Sequence, residues 1–297
     1  MQPLASMAPI GPQATGEFAM LASRTLRKSA WLATALALVC VSAAGAKSDS
    51  QATQKLRAVV NSDLRSPANK ARDPYRHPVE TLSFFGLRPD MTVVELWPFG
   101  GWYTEILAPY LREHGKLYAA AMDPASTSKN DLKYNSDLQA MFAAHPAVFD
   151  KVQVTVLAPT RMQIAPDGAA DLVVTFRNIH NWAWAGIDRQ VFEAAFRALK
   201  PGGILGVEEH RNDDPNFAPH KPPSAYVGEK WAIGMIESVG FKYVGDSDIN
   251  RNPKDTKDYP KGVWTLPPFY AEGDQDRAKY AAIGESDRFT LKFVKPH

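Results

Sequence analysis

From residue 92 onward, short apolar runs alternate with segments whose apolar residues recur every three or four positions. Val93-Val94-Glu95-Leu96 is the first such run. Trp97-Pro98-Phe99-Gly100-Gly101 breaks it, and Ile106, Leu107, Tyr110 and Leu111 resume at helical spacing. That pattern predicts strand, tight turn, helix. The same reading gives strands at 92–96, 117–122, 152–157, 172–176, 204–207, 241–244 and 289–294. Helices are predicted at 103–113, 131–144, 188–199 and 230–239, the last closed by Gly240. A further helix begins at Pro78 and stops at Gly86. Such alternation predicts a doubly wound, mostly parallel α/β sheet of seven strands. A long polar stretch, 246–287, separates the last two strands and leaves room for an antiparallel edge strand. Strand five is expected to neighbour strand four only through strand one.

The first 46 residues follow a different pattern. Arg24, Arg27 and Lys28 precede an apolar run from Ala30 to Val41, and Ala44-Gly45-Ala46 follows. This reads as a secretory signal peptide cleaved after Ala46, giving a periplasmic or secreted protein with no stable membrane span. The run is short for a span, so an uncleaved N-terminal anchor is the alternative. Residues 47–76 are a polar leader with apolar positions at Leu56, Val59, Val60 and Leu64; residues 77–297 form one domain.

Composition changes that picture little: 45% of the 297 residues are hydrophobic and 22% charged. Cys40, the single cysteine, lies in the apolar run, so the mature chain has no disulfide and no thiolate metal site. Residues 1–46 hold three of the 34 basic and one of the 32 acidic residues, so the remainder carries 31 of each. With no basic excess, nucleic acid is not an expected partner.

The order of elements, with Leu199-Lys200-Pro201-Gly202-Gly203 before strand five, resembles the class I S-adenosylmethionine-dependent methyltransferases, from about His77 to Lys295. A narrower resemblance is to a group of predicted, secreted bacterial methyltransferases. It is carried by Glu95-Leu96-Trp97-Pro98-Phe99-Gly100-Gly101-Trp102-Tyr103, by Thr175-Phe176-Arg177-Asn178-Ile179-His180-Asn181-Trp182, by Glu208-Glu209-His210-Arg211, and by residues 252–258. The resemblance implies a Rossmann-like fold and a predicted activity with S-adenosylmethionine as cofactor, with no settled substrate; a small molecule is the expected acceptor. Oligomeric state is left open.

In that superfamily the turn after strand one carries three alternating glycines, whose bare backbone lets the cofactor's methionine end approach. Here those positions read Trp97, Phe99 and Gly101. Glu95, Trp97, Gly100 and Gly101 are the expected cofactor contacts there. Glu95 would meet the cationic amino end, or else cap the next helix. Asp123, after strand two, would hold the ribose hydroxyls or merely start a turn. The acidic residue expected after strand three is replaced by Leu157-Ala158-Pro159.

Methyl transfer needs an acceptor held in line, and often a base. Imidazole titrates near neutral pH, which makes His180 the candidate base, with Asn178 positioning the acceptor or cofactor. A structural hydrogen bond is the alternative role for His180. Trp182, Glu209, His210 and Tyr226 are the expected substrate contacts, with residues 250–259 as a candidate lid. The spacing of His180, Glu208 and His210 does not enforce a metal site, and none is expected. Two readings follow: an exported methyltransferase, or a non-catalytic binding protein on the same scaffold, favoured by Trp97 and Phe99. A nicotinamide-dependent oxidoreductase would need the glycines that Trp97 and Phe99 replace.

Overall fold

The computed structural model describes residues 51–214 and 224–297, so the expected signal peptide and Cys40 lie outside the described residues. Residues 51–60 are helical (α1), followed by three short helices, α2 (Pro67–Lys70), α3 (Asp73–Arg76) and α4 (Pro78–Phe84). Then come β1 (Thr92–Leu96), α5 (Thr104–Leu111), β2 (Lys116–Ala121), α6 (Lys129–Ala144), α7 (Pro146–Phe149) and β3 (Gln153–Val156). The second half holds β4 (Ala170–Phe176), α8 (Ile179–Ala185), α9 (Asp188–Ala198), β5 (Leu199–Asn212), β6 (Val227–Gly228), α10 (Glu229–Ser238), β7 (Lys242–Ser247), α11 (Arg277–Ile283) and β8 (Arg288–Val294).

Eight strands form one sheet in the order β3-β2-β1-β4-β5-β8-β7, with the two-residue β6 against β5. The first five are parallel; β8 runs antiparallel to both β5 and β7. The fold is thus α/β, Rossmann-like and mostly parallel with an antiparallel edge. The expected count of seven strands omits β6. The expected separation of strands four and five is also corrected: β4 pairs directly with β5, from Leu172 with Ile204 to Phe176 with Glu208. That pairing brings the polar ends of both strands to one place.

Burial on both faces explains why β1 reads as a continuous apolar run. Val93 packs into one core with Leu82, Phe85, Ile106 and Tyr110. Its neighbour Val94 packs into the opposite core with Trp182, Val191, Phe192 and Phe289. Alternate residues of one strand point to opposite faces, so one strand serves two layers of helices. On α9, Val191, Phe192 and Ala195 are fully buried, as their helical spacing requires.

The leader packs on the same sheet layer. Leu56 and Val60 are buried with Leu82, Phe85 and Tyr110. Arg65, itself buried, makes a bidentate pair with Asp73 at 2.7 and 2.9 Å. The long stretch before β8 holds α11 and two 3-10 turns, Asp248–Asn250 and Gly262–Thr265. Buried polar contacts hold it: Asp255 accepts from the Asp287 and Lys257 backbone N–H groups and from Tyr226. Among the described residues no helix is long and apolar enough to cross a membrane.

Candidate functional site

At the carboxyl edge of β1 and β4 the structure opens a cavity of about 680 Å³. One wall is the turn after β1: Trp97, Pro98, Phe99 and Gly100, facing Met122, Asp131 and Tyr134. The opposite wall is Arg177, His180, Asn181, Trp184 and His210, with Trp264 and Phe269 from the long stretch before β8. This is where ligands sit in open α/β sheets, and the volume suits a nucleoside-sized molecule.

The turn keeps a glycine's backbone without the glycines. Trp97, Phe99 and Gly101 have φ of 44°, 50° and 81°, all left-handed. L-residues with a Cβ resist that region by about 1–2 kcal/mol each, so surrounding contacts must hold it. They do. Trp97 N–H donates to Ala120 O on β2, and Trp97 Nε1 donates to Leu157 O after β3. Asn178 Nδ2 donates to Leu96 O at 2.9 Å from the far side. Phe99 leans on Tyr134, ring centroids 4.7 Å apart. At Gly101 a Cβ would stand 2.5 Å from Met141 Cε, the movable end of a flexible side chain, so it is the left-handed φ of 81° that favours glycine there.

Glu95 lies beneath this turn, not on the cavity wall, and accepts from Thr104 Oγ1 at 2.7 Å. Burial pushes its carboxyl up to about 7, partly opposed by that hydrogen bond. Asn178 is fully buried nearby; its Oδ1 has no partner among the described residues. Asp123 does not line the cavity, although its neighbour Met122 does; its Oδ1 accepts from Ala125 N–H at 2.9 Å, a turn-starting contact.

The base candidate is held on two sides. His180 Nδ1 lies 3.1 Å from Glu209 Oε1, and His180 N–H donates to Glu209 Oε2. Glu209 Oε1 also accepts from His210 N–H at 2.8 Å. A carboxylate partner fixes the Nδ1–H tautomer and leaves Nε2 as a lone pair. Trp184 and Trp264 pack edge-on against the imidazole, at 5.2 and 6.2 Å. His210 Nδ1 pairs with Ser286 Oγ. Desolvation, reinforced by His180 and by Arg177, Arg288 and Arg76, pushes His210 well down, so it is neutral at pH 7.

Glu208 faces the other way from Glu209, as successive strand residues do. It accepts from Arg177 at 2.7 Å, Arg288 at 3.0 Å and Tyr103 OH at 3.0 Å. Glu285 accepts from Arg72 and Arg76 Nε at 2.7 and 2.9 Å. Despite desolvation, Arg177 and Arg288 hold Glu208 below its ordinary value, and Arg76, Arg288 and Arg72 do the same for Glu285.

The expected site residues therefore divide. His180, Trp97, Gly100 and His210 line the cavity; Asn178, Glu95, Gly101 and Glu209 stand directly behind its wall. Two other expected substrate contacts do not line the cavity. Trp182 is fully buried in the core, edge-on to Trp97 and Phe192. Tyr226 stands behind His210, ring centroids 6.3 Å apart; it donates to the Asp255 carboxylate, and burial pushes its hydroxyl far up. The imidazole pair and Glu209, not Glu208, form the convergent trio: their ligand atoms lie within 4.8 Å of one another, a set able to hold a cation. Sequence reasoning passed over Arg72 and Arg76, which line the cavity from the leader. Their four-residue spacing around a proline was the available signal.

The fold is that of S-adenosylmethionine-dependent methyltransferases. A methyltransferase of this kind from Aquifex aeolicus superposes with TM-score 0.50 at 17% identity, over 76% of this chain and 95% of that one. The [4+2]-cyclase SpnF superposes with TM-score 0.52 at 15% identity, over 80% and 85%. No family model and no curated protein matches the chain. Likeness at these identities fixes the fold; a cyclase among the neighbours illustrates that the reaction must be argued from the site.

Proposed function

We propose that the protein is an S-adenosylmethionine-dependent methyltransferase acting on a small molecule outside the cytoplasm. The observation that carries the reading is the turn after β1. It keeps left-handed backbone at Trp97, Phe99 and Gly101 although two of the three are not glycine, beside a cavity with a carboxylate-held imidazole. A strained turn pinned from β2, from the end of β3 and by Asn178 is conformation retained for a ligand rather than for packing alone. Export rests on residues 24–46.

The donor set fits the cofactor's methionine end. The free Asn178 Oδ1 suits a cationic amino group, and a cation seated beside the turn would draw Glu95, which burial raises to about 7, into its charged form; Gly100 leaves open space on the wall. The adenosyl end would rest on Met122, Phe99 and Tyr134 instead of an acidic residue. When bound, S-adenosylmethionine supplies a methyl group on a sulfonium sulfur.

The chain's own residues do the remaining work. His180 Nε2 takes the acceptor's proton, and Glu209 stabilises the imidazolium that results. Trp184, Trp264 and Phe269 hold the acceptor and keep water from the reacting atoms. Thermal unfolding of the purified protein with S-adenosylmethionine, S-adenosylhomocysteine and NAD tests the reading. A ligand at a hundred times its Kd adds about 2.7 kcal/mol. The expected result is a rise of roughly 5–10 °C with the adenosyl compounds and none with NAD. No shift with either adenosyl compound at millimolar concentration refutes it. A shift without methyl transfer to any acceptor offered would favour the non-catalytic binding protein, the reading that Phe99 on the wall supports.

A further inference from the structure

The cavity carries a concentration of positive charge that proton abstraction by His180 does not need. Arg72, Arg76 and Arg177 all line it. Arg72 precedes α3, Arg76 ends it, and Arg177 follows β4 with a left-handed φ of 61°. With Arg288 behind them, four guanidiniums share two carboxylates, Glu208 and Glu285, and neither carboxylate lines the cavity. Asp131 is the acidic residue on the wall among the described residues, and it is engaged with Ser126 Oγ at the far end.

Each of the three wall arginines makes one side-chain hydrogen bond among the described residues: Arg72 and Arg76 through Nε to Glu285, Arg177 through one terminal nitrogen to Glu208. A guanidinium has five N–H donors in a fixed fork. Donors are therefore left over on all three. The guanidiniums of Arg65 and Arg76 lie 4.9 and 4.7 Å from the Trp102 ring centroid, a contact that helps hold Arg76 in the wall. The two carboxylates relieve this charge in part: despite desolvation, Glu208 and Glu285 hold Arg177 above its ordinary value, whereas Arg72 and Arg76 are lowered. Desolvation, then the neighbouring Arg177, bring Arg76 down to about 9; Arg72 is lowered by desolvation, with Arg177 and Arg288 adding to the fall.

We propose that Arg72, Arg76 and Arg177 form an oxyanion subsite, so that the molecule acted on carries a carboxylate or phosphate group seated on this wall. Forked guanidiniums match the planar, two-oxygen geometry of such groups. A cation seated directly on this wall would meet repulsion. The acceptor is then anchored by its anionic end, with its reacting atom toward His180, whose ring lies 5.4 Å from that of His210. This rests on the cavity being an acceptor site, but it is testable with no adenosyl compound present.

The test is thermal unfolding of the purified protein with inorganic phosphate, at ionic strength held constant with sodium chloride. A saturable rise is expected, with its half-point shifted roughly tenfold by Arg72→Gln, the size of one lost charge-assisted contact. Arg72→Lys keeps the charge without the fork and should fall between. In the same variants, binding of S-adenosylhomocysteine and of 5′-methylthioadenosine, which lacks the amino-acid end, should be unchanged, which also reports that the fold is intact. No rise beyond the chloride control overturns the proposal. So does an equal rise in wild type and Arg72→Gln, meaning an adventitious ion only. Loss of S-adenosylhomocysteine but not of 5′-methylthioadenosine in Arg72→Gln would assign the wall to the cofactor's own carboxylate, and overturns it as well.

Discussion

Replacing Glu95 by glutamine should make the protein more resistant to alkaline conditions. Glu95 sits in the middle of the sheet, fully buried, with Thr104 Oγ1 as its one side-chain hydrogen bond among the described residues. Its carboxyl ionises near 4.5 in the unfolded chain and at about 7 in the folded one, because burial disfavours the charge. Between those values the folded state holds one more proton than the unfolded state. Stability therefore falls as pH rises from 4.5 through 7, and levels off above. A displacement of that size is worth about 3 kcal/mol. The glutamine side chain of Glu95→Gln has no such proton, yet its carbonyl can still accept from Thr104. Its amide N–H groups introduce a cost of about 1–3 kcal/mol if unmet, but that cost does not vary with pH. Urea unfolding of wild type and Glu95→Gln at pH 4.5 and pH 8 isolates the ionisation. The variant should gain about 3 kcal/mol on wild type between the two conditions, or roughly 6–12 °C in Tm. Curves that stay parallel within about 0.5 kcal/mol would refute the buried-carboxylate account. The same group predicts that binding a ligand with a cationic amino end releases protons near pH 7. Calorimetry in two buffers of different ionisation enthalpy would read that release, and Glu95→Gln should abolish it.

Phe99→Gly removes a left-handed strain of about 1–2 kcal/mol and an aromatic contact worth about 0.5–1.5 kcal/mol. Its Tm should stay within about 3 °C of wild type, whereas Phe99→Val, β-branched at φ 50°, should lose clearly more. His180→Ala should leave S-adenosylhomocysteine affinity within about twofold while reducing methyl transfer by roughly 10²–10⁴ in single-turnover assays. Glu209→Gln should move the pH profile of the residual rate, because it loosens the imidazole without removing it. Glu208→Ala leaves Arg177 and Arg288 without their shared carboxylate and should cost about 3–5 kcal/mol in urea unfolding.

The sheet was legible because its strands are buried on both faces, and such strands read as unbroken apolar runs. β1 has the expected bounds, and β2, β3, β4 and β8 differ from theirs by a residue or two. β5 is the instructive exception. Its apolar run stops at Val207, yet the strand continues to His210 against β8 and to Asn212 against β6. Glu208 and Glu209 look like loop residues, but each is fully buried and satisfied by partners remote in sequence: Arg288 for one, His180 for the other. Hydrophobic periodicity carries no record of such pairing. The same holds for 246–287, where Asp255 and Asp287 are buried through backbone donors that no composition reveals. Of the site, His180 and the turn were readable from residue type at a sheet edge. The arginine wall was not, because Arg72 and Arg76 reach the cavity from the leader.

The turn after β1 connects these parts. Three glycines let a backbone adopt left-handed angles at no steric cost; here two side chains impose that cost, and the neighbouring strands hold the turn against it. Trp97 does two jobs in the exchange. Its indole N–H reaches Leu157 O, at the place where an acidic side chain was expected, and its ring packs on Trp182. The apolar Trp97–Trp182 contact thus ties the turn to α8, and His180 is two residues from Trp182 on the same helix. Asn178, at the head of α8, closes the loop by donating back to Leu96 and Trp97. The turn that would receive a cofactor and the helix that carries His180, the proposed base, are one packed unit. A change in the turn's backbone should therefore move His180, and Phe99→Gly should alter the rate of a bound complex more than it alters stability.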